Sequence, residues 1–312
     1  MAYSSGGLIA ATDYNTFASG ATTNASNNLN FVWSTGNGSY GYGQTAVGQV
    51  ASTNTVTATQ WASLINTLNN ALTHQAGSGS GISAPTAGGT ITWLSTLSSS
   101  IGTAYSNRLN YAAQGSTTTG SGYGYEITGT NATFSGTFTR TITWSSGDAA
   151  RYFFNCGGQI NWVITSAANN NGTLRSADLA TQWATYQAGG SIKNNSAVPR
   201  TGSGGTVNTS ATSLGYWSLT TSAQTISQIT SANYRYEYNS DYTYVQAYTS
   251  AQNASGNGDH GAVIYLVFGW YMYETYAGLN DNVDVTVNHR IDIVAPSTSG
   301  GLSASWGLPT IT

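Results

Sequence analysis

Charge is the first thing this sequence lacks. Only 6% of its 312 residues are Asp, Glu, Lys or Arg, where ordinary globular domains carry roughly a quarter, and Lys193 is the sole lysine. A net charge of -3 gives no field that would gather a phosphate backbone or an anionic bilayer, which argues against nucleic acid as a partner. Proton-transfer chemistry needs ionisable groups close enough to shift one another's pKa. Here 11 acids, 8 bases and 3 histidines are scattered along the chain, a poor basis for an enzyme. Cysteine is nearly missing as well. Cys156 stands alone, so no disulfide within the chain supports the fold. Long hydrophobic runs are absent too. The longest, residues 262–273, is interrupted by Gly269 and too short for a bilayer, so no membrane insertion is expected. The opening MAYSSGGLIA has neither the basic segment nor the apolar core of a Sec-type signal peptide, which implies synthesis in a cytoplasm without one.

What is abundant is glycine (38), tyrosine (21) and tryptophan (9). Aromatics supply large contact area at low entropic cost, which favours binding or assembly. In the first quarter, TATQWASLINTLNNALTHQ places Trp61, Leu64, Ile65, Leu68 and Leu72 on one helical stripe, with Thr57 or Thr59 as N-cap. An earlier helix is expected around Tyr14, Phe17 and Ala21, capped by Thr12 or Asp13, although Gly20 and several Asn residues lower its propensity. A glycine-tyrosine loop, residues 36–45, separates the two. Residues 75–89 read as a linker or an extended connection, and helical spacing returns at Trp93, Leu97, Ile101, Tyr105 and Leu109. AAQGSTTTGSGYGYE reads as a second flexible join.

From about Thr130 the period changes to that of strands. TFSGTFTRTITW alternates Phe134, Phe138, Ile142 and Trp144 with Ser and Thr. VDVTVNHRIDIV sets Val283, Val285, Val287, Ile291 and Ile293 against Asp284, Thr286, Asn288, Arg290 and Asp292, whose face is expected to meet water. Segments 234–249 and 262–276 are strand-like, and Gly/Asn clusters mark the turns. The expected fold class is α+β: an N-terminal helical region, residues 1–115, followed by a C-terminal antiparallel β-sandwich, residues 116–312, with no helices alternating between its strands.

No catalytic, cofactor-binding or metal-binding residue is assigned, and no cofactor is expected. Cys156 lies in RYFFNCGGQI, read as an aromatic strand ending in a Gly-Gly turn, and lacks a nearby base to form a thiolate, so it reads as a packed thiol. His289 has the apolar parity of its strand and reads as a core residue, His260 as part of a turn, and His74 as a favourable cation or donor at a helix C-terminus. Asp281, Asn282 and Asp284 lack the glycine and distal glutamate of an EF-hand and read as an Asn/Asp turn rather than a calcium loop. Tyr234, Tyr236, Tyr238, Tyr242, Tyr244 and Tyr248 share one face. That face reads first as a sheet-packing surface, and second as an exposed aromatic surface for a neighbouring subunit or a sugar.

Two stretches carry a resemblance. GYGQ at residues 41–44, followed by TATQW at 57–61 and the closing His74 and Gln75, resembles a segment of structural proteins of tailed bacteriophages, especially cyanophages. ARYFFNCGGQI resembles a RYFFNSGGEI strand-turn of the same kind of protein, followed there by an LGYW-x-L-T strand, here residues 214–220. Cys156 and Gln159 stand where Ser and Glu are common. The resemblance implies a virion component made in the host cytoplasm, such as a tail-fibre, baseplate-associated or collar protein. It implies other virion proteins as partners, self-association into a homo-oligomer, and no activity. Two alternatives remain. One is a tail adhesin that binds host-surface polysaccharide. The other is a glycan depolymerase, which needs paired carboxylates about 5–10 Å apart.

Overall fold

The computed structural model describes residues 10–19, 28–130, 133–231, 240–252, 260–273 and 282–312. The chain divides into two compact units. The first comprises Met1–Gly115, Arg151–Gly157 and Pro296–Trp306; the second comprises Ser116–Ala150, Gly158–Ala295 and Gly307–Thr312. Each is described by itself.

The first unit holds helices α1 (Ala11–Ser19), α2 (Leu29–Trp33), α3 (Ala58–Ala76) and α4 (Leu94–Ser106). α3 starts where its capping box sits: the Gln60 N–H donates to Thr57 Oγ1 at 3.3 Å and the Thr57 N–H donates to Gln60 Oε1 at 2.7 Å. Its apolar stripe is buried as the spacing predicts, with Trp61 edge-on to Tyr14 at 5.2 Å and to Trp93 at 5.4 Å. α1 buries Tyr14 and Phe17; Ala21 lies outside the described residues. α2, which periodicity does not reveal, is capped by Asn28, whose Oδ1 accepts from the Phe31 N–H. Residues 75–89 are not a free linker. Asn69 on α3 accepts from the Ser80 N–H at 2.8 Å and donates to the Ile82 carbonyl at 3.2 Å, so this segment returns along the helix.

The second unit is mixed α+β, with two six-stranded antiparallel sheets. Its strands are β1 (Gln114–Thr118), β2 (Tyr123–Gly129), β3 (Thr133–Thr143), β4 (Gln159–Asn169), β5 (Gly189–Ile192), β6 (Ala197–Val198), β7 (Thr206–Ser210), β8 (Gln224–Thr230), β9 (Tyr242–Thr249), β10 (Val263–Tyr273), β11 (Val283–Pro296) and β12 (Thr310–Ile311). The first sheet runs β1-β11-β4-β5-β6, with β2 also on β11, and the second runs β12-β3-β10-β9-β8-β7. Aromatic rings of the two sheets meet in the core. Tyr125 of β2 stacks on Phe138 of β3 at 4.7 Å, and Phe138 stacks on Phe268 of β10 at 4.9 Å.

Four local expectations are corrected. Residues 151–155 are helical, not a strand: α5 (Gly147–Asn155) starts where the Ala149 N–H donates to Ser146 Oγ, at 3.1 Å. α6 (Leu174–Thr181) is capped by Thr173 and continues into a π-helical turn, Gln182–Tyr186, so helices do interrupt the strand succession. The second expected flexible join contains β1 and the start of β2, so strands begin before Thr130. Residues 216–218 form a 3-10 turn instead of a strand.

The alternation of β11 holds: Val283, Val285, Val287, Ile291 and Ile293 are buried. Asp292 does not meet water, however. It is only 7% exposed and accepts from Arg290 Nε at 2.9 Å and from the Gly120 N–H at 3.0 Å. Asp292→Asn, expected to be neutral on a wet face, should instead lower stability by about 1–2 kcal/mol, because the charge-assisted bonds weaken. Chemical denaturation of the single variant measures this directly. No described helix is long and apolar enough to cross a membrane.

Candidate functional site

The two stretches with family resemblance come together inside the first unit. α5 ends at Asn155 and the chain turns at Gly157, whose φ of 89° needs glycine and whose α-carbon lies against Tyr111, where a Cβ would come within 2.4 Å of the ring. This ending directs Arg151 and Asn155, both buried, at the 36–44 loop. Arg151 donates to the Thr35 carbonyl at 2.6 Å and to the Tyr40 carbonyl at 2.5 Å, with its guanidinium 4.5 Å from the Tyr152 ring centroid. Asn155 Nδ2 lies within 3.1–3.3 Å of the carbonyls of Gly38, Tyr40 and Gly41. Gln44 then accepts from the Ser303 N–H at 2.7 Å and donates to the Ser303 carbonyl at 3.0 Å. Tyr42 is fully buried; its hydroxyl donates to the Arg108 carbonyl and accepts from Gln75. The motif residues therefore hold backbone: one helix end and a few amide side chains satisfy the carbonyls of a glycine-rich loop.

Cys156 and His74 belong to this cluster. The thiol is fully buried, aims at the Tyr42 carbonyl at 3.9 Å, and burial holds its pKa well above the ordinary value. Burial also depresses His74 to about 4, with a backbone hydrogen bond at Cys156 pulling weakly the other way. At neutral pH the pair is thiol and neutral imidazole, unsuited to nucleophilic attack. Of the two roles expected for His74 at the helix end, cation or donor, burial removes the first, since the ring is neutral. Cys156→Ser should fold and melt within about 1 kcal/mol of wild type, since a hydroxyl can donate to the same carbonyl. Thiol reagents should label the native protein slowly, and rapid stoichiometric labelling would contradict the burial.

In the second unit His289 is a buried core residue of β11. Its Nε2 accepts from Arg140 Nε at 2.7 Å, and Arg140 lies 4.1 Å over the Tyr123 ring. Burial first, then the Arg140 charge, lower its pKa to about 4. Both His74 and His289 thus bind a proton near pH 6.5 when unfolded but only near pH 4 when folded. Their contribution is complete above pH 6.5 and is lost as pH falls towards 4, each by up to about 3 kcal/mol. Melting temperature should drop steadily between pH 7 and pH 4.5, and His289→Gln should flatten part of that slope.

His260 is buried, with its ring 5.4 Å from Tyr216 and 5.0 Å from Trp217. Asp281 lies outside the described residues, while Asp284 accepts from Asn170 at 2.8 Å. Among the described residues no group of three His, Cys, Asp or Glu side chains is placed to hold a metal ion.

The tyrosines are the feature that faces outward. Tyr234, Tyr236 and Tyr238 lie outside the described residues, but Tyr242, Tyr244 and Tyr248 of β9 are half-buried while Thr243, Val245, Ala247 and Thr249 between them point to the core. The expected packing within the sheet is present for the described tyrosines, as cross-strand ring contacts, and it lies on the face opposite the core. β10 matches them in register, pairing Tyr265 with Tyr248 and Tyr271 with Tyr242. The rings stack at 4.5 Å and 5.2 Å, with interplanar angles of 17° and 16°. Tyr244 lies over Gly269, where a Cβ would come within 2.1 Å of its ring. Alternation finds this row, but only the placement of Val245 and Ala247 reveals which way it faces.

Comparison with protein-family models, curated proteins and solved structures returned no match.

Proposed function

We propose that this chain is a non-enzymatic structural component of a tailed-phage virion, a tail-fibre, baseplate-associated or collar protein that acts through subunit contacts. Residues 1–115 serve as its helical docking region and the two sheets as a β-sandwich. The observation that carries the reading is the clamp: the two stretches that resemble virion proteins fold onto each other, and their polar side chains hold loop carbonyls in place. The protonated thiol of Cys156 and the neutral ring of His74 support a role without catalysis. The low charge suits subunits that meet many neighbours through hydrogen bonds and aromatic packing, with contacts little affected by salt.

The test is a cryo-EM map of gradient-purified particles from an infection that produces the chain. Density that fits both units at a repeated position in the tail is expected. Absence of the chain from the particles, by mass spectrometry, would overturn the reading. A second reading, a tail adhesin that recognises host polysaccharide, is favoured by one observation, the outward row of stacked tyrosines on β9 and β10.

A further inference from the structure

We propose that the outward tyrosine face of the second sheet is a binding platform for a neutral, hydroxyl-rich polysaccharide; this rests on the adhesin reading and names its ligand class and surface. The face has a regular layout. One rung aligns Thr141, Tyr265 and Tyr248, and another aligns Ser135, Tyr271 and Tyr242. Between them lie Val267 with Thr139 and Gln246, and Gly269 beneath Tyr244. The two aromatic rungs are six residues apart on β10, or about 20 Å, so the platform suits an extended chain and not a single sugar.

Charge complementarity selects the occupant. Arg140 is the one charged residue in β3, β8, β9 and β10, and it points the other way, to His289 in the core. Neither an acidic nor a basic polymer finds an opposite charge on these strands. What they do offer is flat rings with polar tips and a ladder of hydroxyls, since every outward position of β3 is Ser or Thr. Ring faces pack against the C–H faces of sugars, and the tyrosine, threonine and glutamine groups exchange hydrogen bonds with sugar hydroxyls. A second copy of this chain is the weaker occupant, because the hydroxyl rows would have to be desolvated in an interface core, where Ser is depleted.

The experiment is native gel electrophoresis of the full chain in gels containing dextran, galactomannan or xyloglucan, with anionic alginate as the contrast. Retardation by at least one neutral polymer, unchanged between low and high salt, is expected. The Tyr248→Ala/Tyr265→Ala double variant should bind about tenfold more weakly or worse, and Tyr248→Phe/Tyr265→Phe should stay close to wild type. Thr139→Lys, at an exposed position between the aromatic rungs, should weaken binding without unfolding the protein. The proposal is overturned if none of the three polymers retards the chain, if alginate alone does, or if the alanine variant is retarded like wild type. It is also overturned if sedimentation shows a dimer that those tyrosine substitutions dissociate, which would assign the face to a second copy. None of these outcomes touches the virion role, which the particle map tests separately.

Discussion

Val287→Asp is expected to abolish the folded state of the second unit. Val287 is completely buried in β11, between Tyr125 of β2 and Ala167 of β4 in the ladder. The cation that reaches this face, Arg140, is already held by His289 Nε2 at 2.7 Å and by the Tyr123 ring, so a carboxylate at 287 has no prepared partner and burying it costs several kcal/mol. Whole domains are stable by only about 5–15 kcal/mol, so one such residue removes most or all of the margin. Far-UV and near-UV circular dichroism of the purified variant should show loss of β-structure and of aromatic signals. Asn288→Asp, one residue along and on the outward face, should shift the melt little. A folded Val287→Asp protein together with a disrupted Asn288→Asp protein would reverse the face assignment of the strand.

Arg151→Met has the second-largest expected effect and acts on the first unit. Methionine keeps the aliphatic stem but removes both bonds to the Thr35 and Tyr40 carbonyls. Asn155 continues to serve Tyr40, so the Thr35 carbonyl is the more exposed loss. Deleting two charge-assisted bonds made by a buried guanidinium should cost about 2–4 kcal/mol. Arg151→Lys should recover only part of this, since an ammonium cannot reproduce the planar fork. The readout is limited proteolysis: the 36–44 loop should become the first site of cleavage in Arg151→Met. A loop as resistant as in wild type would show that the clamp does not hold it.

How much of this was legible beforehand follows from what each residue reports locally. α3 was readable because an N-cap threonine and the Trp61 to Leu72 stripe are both written within twenty residues. β3 and β11 were readable because one parity of each is nearly uniform, Ser or Thr on the outward positions of β3 and Val or Ile on most inward positions of β11. α5 was misread because Tyr152, Phe153 and Phe154 favour strands in isolation, and burial of the helix overrides that preference. The available signal lay just upstream, where Ser146 and Asp148 precede two alanines. Asp292 was placed in water by its parity, but the backbone that covers it comes from Gly120, 172 residues away. The tyrosine row was legible as a row, not as a direction, because a tyrosine fits either a core or a wet surface. The clamp was beyond reach in the same way: its two halves were each noticed, but nothing local says that Asn155 meets Gly41 across 114 positions.

The bond between Gln44 and Ser303 has a consequence for how the protein is made. The two residues are 259 positions apart, and a ribosome adds about 5–20 residues per second. Roughly 13 to 50 s therefore pass between the synthesis of the glycine-tyrosine loop and that of the serine that secures it. The loop's carbonyls wait a shorter time, for Asn155 at 114 positions from Gly41, and until then have only water or a chaperone for company; Gln44 waits for Ser303 to the end. Slowing translation should lengthen this exposure, and the early helices are where a nascent chain of this sequence is most open to protease or to wrong partners.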